Sequence, residues 1–387
     1  MQRVLLFVLT MFALYATALA QTLVLPAEKP AQPVIKFEPT PVPAGEVKSP
    51  ESAFKPARHI ALLLPTKSAT FGASADAVRQ GFIAAASLDK QALPIRVYDN
   101  FDEDKNVATA YKQALASGAV AVVGPLSRNG VLALAAIKDF PVPTLSLNVV
   151  DNTPEQNLYF FGMAIEMEAR QIAQIIKQKG LHQAIIISSR APLSKRLQTA
   201  FEDEWNGAGG QILRVVEYND DAAVFDDITE TSDTAIFIVM DADKARLVRP
   251  FLTTKLPLYA TSRVFVGNDG TLINFDLNDI RFIDMPWLLQ ADHPAVMTYP
   301  RATPPLTIDN DRLYALGIDA FRLTQLLLAD NVTNALPLDG VSGQIQLRGH
   351  TFQRVATPAV FVQGRAQLND TPPIRRAYFP DALPSKP

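Results

Sequence analysis

The segment Gly124-Pro125-Leu126-Ser127-Arg128-Asn129-Gly130 sets a hydroxyl, a guanidinium and an amide between two glycines, the groups best suited in this chain to hold a small ligand. Ala119 to Gly124 reads as a strand and Val131 to Ile137 as a helix, so this loop leaves a strand and enters a helix. Open α/β sheets bind ligands outside the carboxyl edge of their strands. The unsatisfied N–H groups of a helix start favour an anion such as a carboxylate. Thr66 and Lys67 follow the first apolar run and Ser146 and Asn148 the fourth, which places them on the same edge. Arg263 and Trp287 belong to a second lobe and would line the cleft from the other side. The chemistry on offer is capture of an amino-acid-like ligand. The plainer alternative makes Ser127 a helix cap and leaves the polar loops to solvent. It also makes Trp287 core filling near a hinge, with its indole N–H on a backbone partner, and pairs Arg263 with a local acid.

Catalytic chemistry finds little support. His59, His182, His293 and His350 are far apart and none sits at metal-ligand spacing, so no metal or other cofactor is expected. No nucleophile elbow, Walker loop or dinucleotide fingerprint occurs. Ser52-Ala53-Phe54-Lys55 matches the S-x-x-K pattern of penicillin-recognising enzymes, but it lies between Pro50 and Pro56 and lacks the companion S-D-N and K-T-G elements. The acids Asp99, Asp102, Glu103 and Asp104 lack the glycine and distal glutamate of a calcium loop. They precede a helix, where carboxylates cap free N–H groups. Asp309, Asn310 and Asp311 read the same way before a later helix.

These residues are carried by β-type runs alternating with helix-period segments, the pattern of parallel sheets in βαβ units. Ile60 to Pro65, Ile95 to Tyr98, Ala119 to Gly124 and Pro143 to Leu147 are four strands of one doubly wound lobe. Helices between them carry Val78, Phe82, Ala85 and Ala86, then Ala108, Tyr111 and Leu115. A second cycle is expected to begin at Tyr159-Phe160-Phe161-Gly162, with a helix over Ala169, Ile172, Ala173 and Ile176. Strands at 184–187, 212–216, 235–240 and 256–260 follow. A periodic helix then carries Leu313, Leu316, Ala320, Leu323 and Leu327, and a hairpin-like segment runs from Leu338 to Leu347. The expected division is 58–160 plus 291–335 for lobe one and 161–290 plus 336–375 for lobe two, with the hairpin in lobe two.

The ends differ in kind from this body. Arg3 followed by an apolar run from Val4 to Ala20, closing Ala18-Leu19-Ala20, reads as an export signal over residues 1–20 and implies the periplasm. An uncleaved leader serving as an anchor is the alternative. Residues 21–57 hold eight prolines, which deny helix propagation and ladder donors, and read as an extended arm. Residues 376–387 form a Pro-containing tail. There is no cysteine, hence no disulfide and no lipid-bearing N-terminal Cys; Gln21 stands where a lipoprotein needs one. A net charge of −3 with scattered basic residues gives no footprint for nucleic acid.

The alternating order with three crossings between lobes resembles type I periplasmic binding proteins, whose two Rossmann-like lobes close on a small molecule. A narrower resemblance is to the LppC/LpoA-type activators of penicillin-binding proteins. It rests on Ile60 to Pro65, Val122 to Leu126, Tyr259-Ala260-Thr261-Ser262-Arg263, Asp284-Met285-Pro286-Trp287-Leu288-Leu289, Leu313 to Ala320 and Gly340-Val341-Ser342-Gly343. That resemblance implies a non-enzymatic regulator that contacts a class A penicillin-binding protein and stimulates peptidoglycan synthesis. It covers the family's C-terminal domain, without the helical-repeat domain of longer members. The competing expectation is a solute-binding protein that captures an amino acid or small carboxylate in the cleft.

Overall fold

A computed structural model of the chain describes residues 56–99, 102–150, 155–225, 231–252, 255–268 and 272–369. The leader, the arm up to residue 55, the Ser52–Lys55 match and the C-terminal tail lie outside the described residues.

The first half follows the βα alternation: β1 (His59–Leu63), α1 (Gly72–Ser87), β2 (Ile95–Tyr98), α2 (Glu103–Ala116), β3 (Ala119–Val123), α3 (Arg128–Ala135), β4 (Thr144–Ser146) and β5 (Leu158–Phe161). These five strands are parallel in the order β2-β1-β3-β4-β5. A second series gives α4 (Ile165–Gln178), β6 (Gln183–Ser188), α5 (Pro192–Gly207), β7 (Gln211–Glu217), β8 (Thr234–Val239), α6 (Ala242–Val248), β9 (Leu258–Ala260) and β10 (Ile280–Asp284). Here the parallel order is β7-β6-β8-β9-β10. The chain continues through α7 (Pro286–Leu289), α8 (Pro294–Thr298), α9 (Ile308–Leu328) and α10 (Val332–Ala335). It ends in β11 (Leu338–Asp339), β12 (Gln344–Arg348), β13 (Thr351–Val355), β14 (Thr357–Val362) and β15 (Arg365–Leu368).

Two α/β lobes result, joined by three crossings: Phe161 to Ile165, Asp284 to Met285 and Val355 to Thr357. Strand runs such as Ile60 to Leu63 and Ala235 to Val239 are buried throughout, as a parallel strand covered on both faces requires. Leu62, Val123, Leu145 and Phe161 face the α1 and α9 side of sheet one, whereas Leu63, Val122, Leu158 and Phe160 face α2 and α3.

Helices α1 and α9 pack unusually close. A Cβ placed on Gly81 would lie 1.9 Å from the Tyr314 carbonyl oxygen, and one on Gly317 would lie 2.1 Å from the Val78 oxygen. Each glycine makes room for the other helix's backbone, which draws α9 onto sheet one although it follows sheet two in the chain.

Three expectations change. β5 belongs to sheet one and opens no second cycle, because it pairs with β4 in the register Thr144↔Leu158 and sends Phe160 and Phe161 to opposite faces of the first core. The hairpin β11-β12, with β13, also joins sheet one, where β13 lies parallel to β5. Val341, Ile345 and Phe352 fill the first core, and buried Asp319 of α9 holds the segment in place. The Asp319 carboxylate accepts from the Val341 N–H at 3.2 Å, the Ser342 N–H at 2.7 Å and the Ser342 hydroxyl at 2.7 Å. Only β14 and β15 return to sheet two. Finally, the string Arg281 to Asp284 is itself a central strand, β10, between β9 and β14.

Candidate functional site

The carboxyl edge of sheet one opens into a pocket of about 460 Å³. Ser127 and Arg128 reach it from the start of α3, Asn148 from the turn after β4, and Ser74 from α1. Its apolar wall includes Phe71, Leu126, Leu147, Met163, Leu313 and Leu316. Gly124, at φ +104°, turns the chain at the end of β3; a Cβ there would lie 2.2 Å from the Leu63 carbonyl oxygen.

The predicted residues divide. Ser127, Arg128 and Asn148 do converge on this pocket, but protein groups already engage them. Ser127 Oγ accepts from the Gly130 N–H at 3.0 Å, the cap of α3. Asn148 Nδ2 donates to the Leu126 carbonyl at 3.0 Å and its Oδ1 accepts from the Val149 N–H. Arg128 Nη1 donates to the Val149 carbonyl at 3.1 Å. Thr66 and Lys67 form a separate cluster on Asp99, with Lys67 Nζ 3.1 Å from its carboxylate. Asp99 thus pairs across the edge and does not cap α2. Ser146 is fully buried and its hydroxyl finds no partner among the described residues. Arg263 stands 4.0 Å from Asp309 of α9, an acid remote in sequence.

A second constellation lies at the crossings. Arg312, at the start of the second turn of α9, is buried against the end of β10. Its Nε and Nη2 donate to the two Asp284 oxygens at 3.2 and 2.6 Å, and Nη2 also reaches the carbonyls of Ser262 and Phe265 at 3.1 and 2.8 Å. Burial pushes the Asp284 carboxyl up, with Arg312 pulling the other way. Burial also disfavours the Arg312 charge, yet Asp284 together with Glu168 and Asp309 more than restores it, and the net shift is upward.

Glu168 of α4 extends the network. It accepts from the Ser262 N–H at 3.1 Å and from Arg354 of β13 at 3.2 Å, and Arg354 donates in turn to the Ser342 carbonyl. One helical turn on, Gln171 brackets the third crossing: its Nε2 donates to the Ala356 carbonyl and its Oε1 accepts from the Ala356 N–H.

Trp287 is fully buried in the first core, as core filling near the crossings would have it. Its indole N–H, however, donates to the Asp311 carboxylate at 2.8 Å and not to a backbone group. Arg301 lies 3.8 Å over the indole ring and donates to the Trp287 carbonyl. Thr307, not the acids, caps α9; Asp309 and Asp311 spend their carboxylates on Arg312, Arg263, Arg301 and Trp287.

Sequence reading missed Glu168, Gln171, Asp284, Arg312 and Arg354. A signal was present. Arg312, Leu316, Asp319 and Leu323 share one face of α9 by the 3.6-residue period, and charges inside an apolar stripe mark buried pairs.

Of the strings that carried the resemblance, Tyr259 to Arg263 supplies Ser262, Asp284 to Leu289 supplies Asp284 and the second crossing, and Gly340 to Gly343 supplies Ser342 to this network. A family model described as "LppC putative lipoprotein" matches residues 51–233 and 229–356. The chain belongs to the LppC family. Among curated LppC relatives, a "Penicillin-binding protein activator LpoA" from Photobacterium profundum is 27% identical over 78% of this chain and 56% of its own length. One from Pectobacterium parmentieri is 28% identical over 60% of this chain and 41% of its own. The chain spans about half the length of the curated relatives it matches. Among solved structures, a "putative branched-chain amino acid ABC transporter" from Chromobacterium violaceum is 36% identical, with TM-score 0.70, over 79% of this chain and all of that one. The LpoA C-domain of Haemophilus influenzae shares the fold at 23% identity and TM-score 0.67, over 81% of this chain and all of that one. This LppC chain therefore has the type I periplasmic binding protein architecture.

Proposed function

We propose that this LppC chain is a non-catalytic regulator of peptidoglycan synthesis in the periplasm, which binds a class A penicillin-binding protein and stimulates it. The observation that carries the reading is the Arg312 network across the crossings. A solute binder works by rotating one lobe against the other, and a rotation that draws α9 away from sheet two would break the four hydrogen bonds that tie a buried guanidinium to it. Such a group left uncompensated costs several kcal/mol. Two lobes held in this way suit presentation of a preformed surface to a partner.

The printed names of the curated relatives, activators of penicillin-binding proteins, give the partner class. Among the described residues no helix is long and apolar enough to cross a membrane.

The test is direct. The purified chain is added to a purified class A synthase from the same organism, and glycan polymerisation and crosslinking are followed. A several-fold rise in either rate is expected; equal rates with and without the chain, and no complex in a pull-down, would sink the reading.

The second reading is capture of an amino acid or small carboxylate at the sheet-one edge, supported by the pocket that gathers Ser127, Arg128 and Asn148. A thermal-shift panel of amino acids separates the two. A true ligand at a hundredfold excess over Kd stabilises by roughly 2.7 kcal/mol, and the regulator reading expects no response.

A further inference from the structure

The two faces of sheet two are finished differently. One is covered by α4 and α5, whose outer surfaces carry Glu166, Arg170, Lys195, Arg196 and Asp203. The other is covered by α6 and three single-turn 3₁₀ segments, Arg249–Phe251, Ser262–Val264 and Ile273–Leu277, which pack on one another above the Phe265, Phe282 and Phe361 core. On the outside of that short-helix layer, Leu247, Phe251, Val266, Leu272, Ile273 and Phe275 are each between 51% and 88% exposed. Six large apolar side chains on one layer exceed the scattered single residues that soluble surfaces ordinarily carry.

The two arginines of the layer are engaged internally, while their acidic partners stay exposed. Arg246 pairs with Asp243 at 2.7 Å and also donates to Asn274, while Arg249 lies 3.6 Å from Asp279 and donates to the Asn278 and Leu252 carbonyls. Both guanidiniums are turned into the layer, 14% and 21% exposed. Asp276, exposed beside Phe275, has no ion-pair partner among the described residues. The exposed carboxylates of the layer are Asp243, Asp276 and Asp279, so an occupant that complements this surface presents apolar side chains to the six residues and basic ones at its margin.

We propose that this short-helix face is the docking surface for the protein partner, and that it receives an apolar segment flanked by Lys or Arg at its margin. The proposal rests on the reading of the chain as a partner-binding regulator. A few residues carry most of the binding energy of such contacts; Leu272 and Ile273, the most exposed of the six, are assigned that part, and Asp276 adjusts it.

The experiment measures Kd between the full chain and a purified class A penicillin-binding protein for wild type, for Leu272→Ser with Ile273→Ser, for Asp276→Lys, and for Leu88→Ser. Leu88 is an exposed apolar residue at the end of α1, on sheet one, and serves as the control. The expected result is a loss of tenfold or more for the double variant, a loss of a fewfold for Asp276→Lys and none for Leu88→Ser, all with unchanged Tm. Wild-type binding that the double variant retains overturns the surface and leaves the regulator reading standing. No binding by wild type overturns both. A concentration-dependent dimer in sedimentation that the double variant abolishes would make the occupant a second copy, which also overturns the proposal.

Discussion

Arg312 and Asp284 meet across the two lobes: one begins the helix that packs on sheet one, the other ends a strand of sheet two, and their side chains pair through two hydrogen bonds at 3.2 and 2.6 Å. Removing one partner strands the other in a buried site, so Asp284→Ala is expected to lower stability by about 3–5 kcal/mol. Replacing both, as Arg312→Met with Asp284→Leu, should recover most of that loss. Urea denaturation measures the energies. Small-angle scattering reads the interlobe arrangement, which the double variant is expected to loosen.

The α1–α9 crossing makes an independent prediction. Gly317→Ala drives a methyl to 2.1 Å from the Val78 carbonyl oxygen, backbone that cannot yield as a flexible side chain would. A loss of about 1–3 kcal/mol is expected. Gly207→Ala, at the end of α5 with nothing within 4 Å of the new carbon, is expected to be neutral or stabilising by up to about 1 kcal/mol. Thermal melts of the two variants side by side provide the check.

Trp287→Phe keeps most of the buried ring but removes the indole donor to Asp311. A hydrogen bond to a charged group contributes about 1.5–3 kcal/mol, and Asp311 is 20% exposed, which places the expected loss near the lower end. Urea denaturation followed by circular dichroism would show it.

Ser127 separates capping from ligand binding. Ser127→Ala removes the α3 cap and should cost about 1 kcal/mol, whereas Ser127→Asn, an equally good cap, should cost almost nothing. If the hydroxyl served a ligand instead, both variants would diminish a ligand-induced thermal shift.

Glu217 gives a pH signature. Hydrogen bonds from Lys195 and Arg190 hold its carboxyl below the ordinary value. A carboxyl depressed in the folded state contributes stability above its unfolded value, and that contribution is lost as pH falls through the folded one. Carboxyl NMR should find the Glu217 midpoint below that of an ordinary glutamate, and Lys195→Met should move it upward.

Most of the architecture was legible in the chain itself. The strand runs from Ile60, Ala119 and Ala184 are continuous apolar segments punctuated by helix-period stripes, as burial on both faces requires, while the run from Ile95 carries Arg96 and forms the exposed edge strand β2. The Gly124 to Gly130 loop was likewise readable, because a strand end, a turn glycine and a capping serine are local signals. Three of the seven named side chains, Ser127, Arg128 and Asn148, do share a pocket. Lys67 and Thr66 went to Asp99 and Ser146 went inward, outcomes set by how the strands twist and pair and not by any local pattern.

What the amino-acid order determined by itself was the repeating βα pattern and the family it belongs to, since both follow from periodicity and short strings within reach of one another. Tertiary structure alone decided that β11 to β13 join sheet one, that Arg312 finds Asp284, and that the apolar residues of 247–275 share one outer layer. Each of those joins segments distant along the chain. Pairing between remote segments depends on which backbones can approach, as Gly81 and Gly317 permit, and on which buried charges must be neutralised, as Arg312 requires.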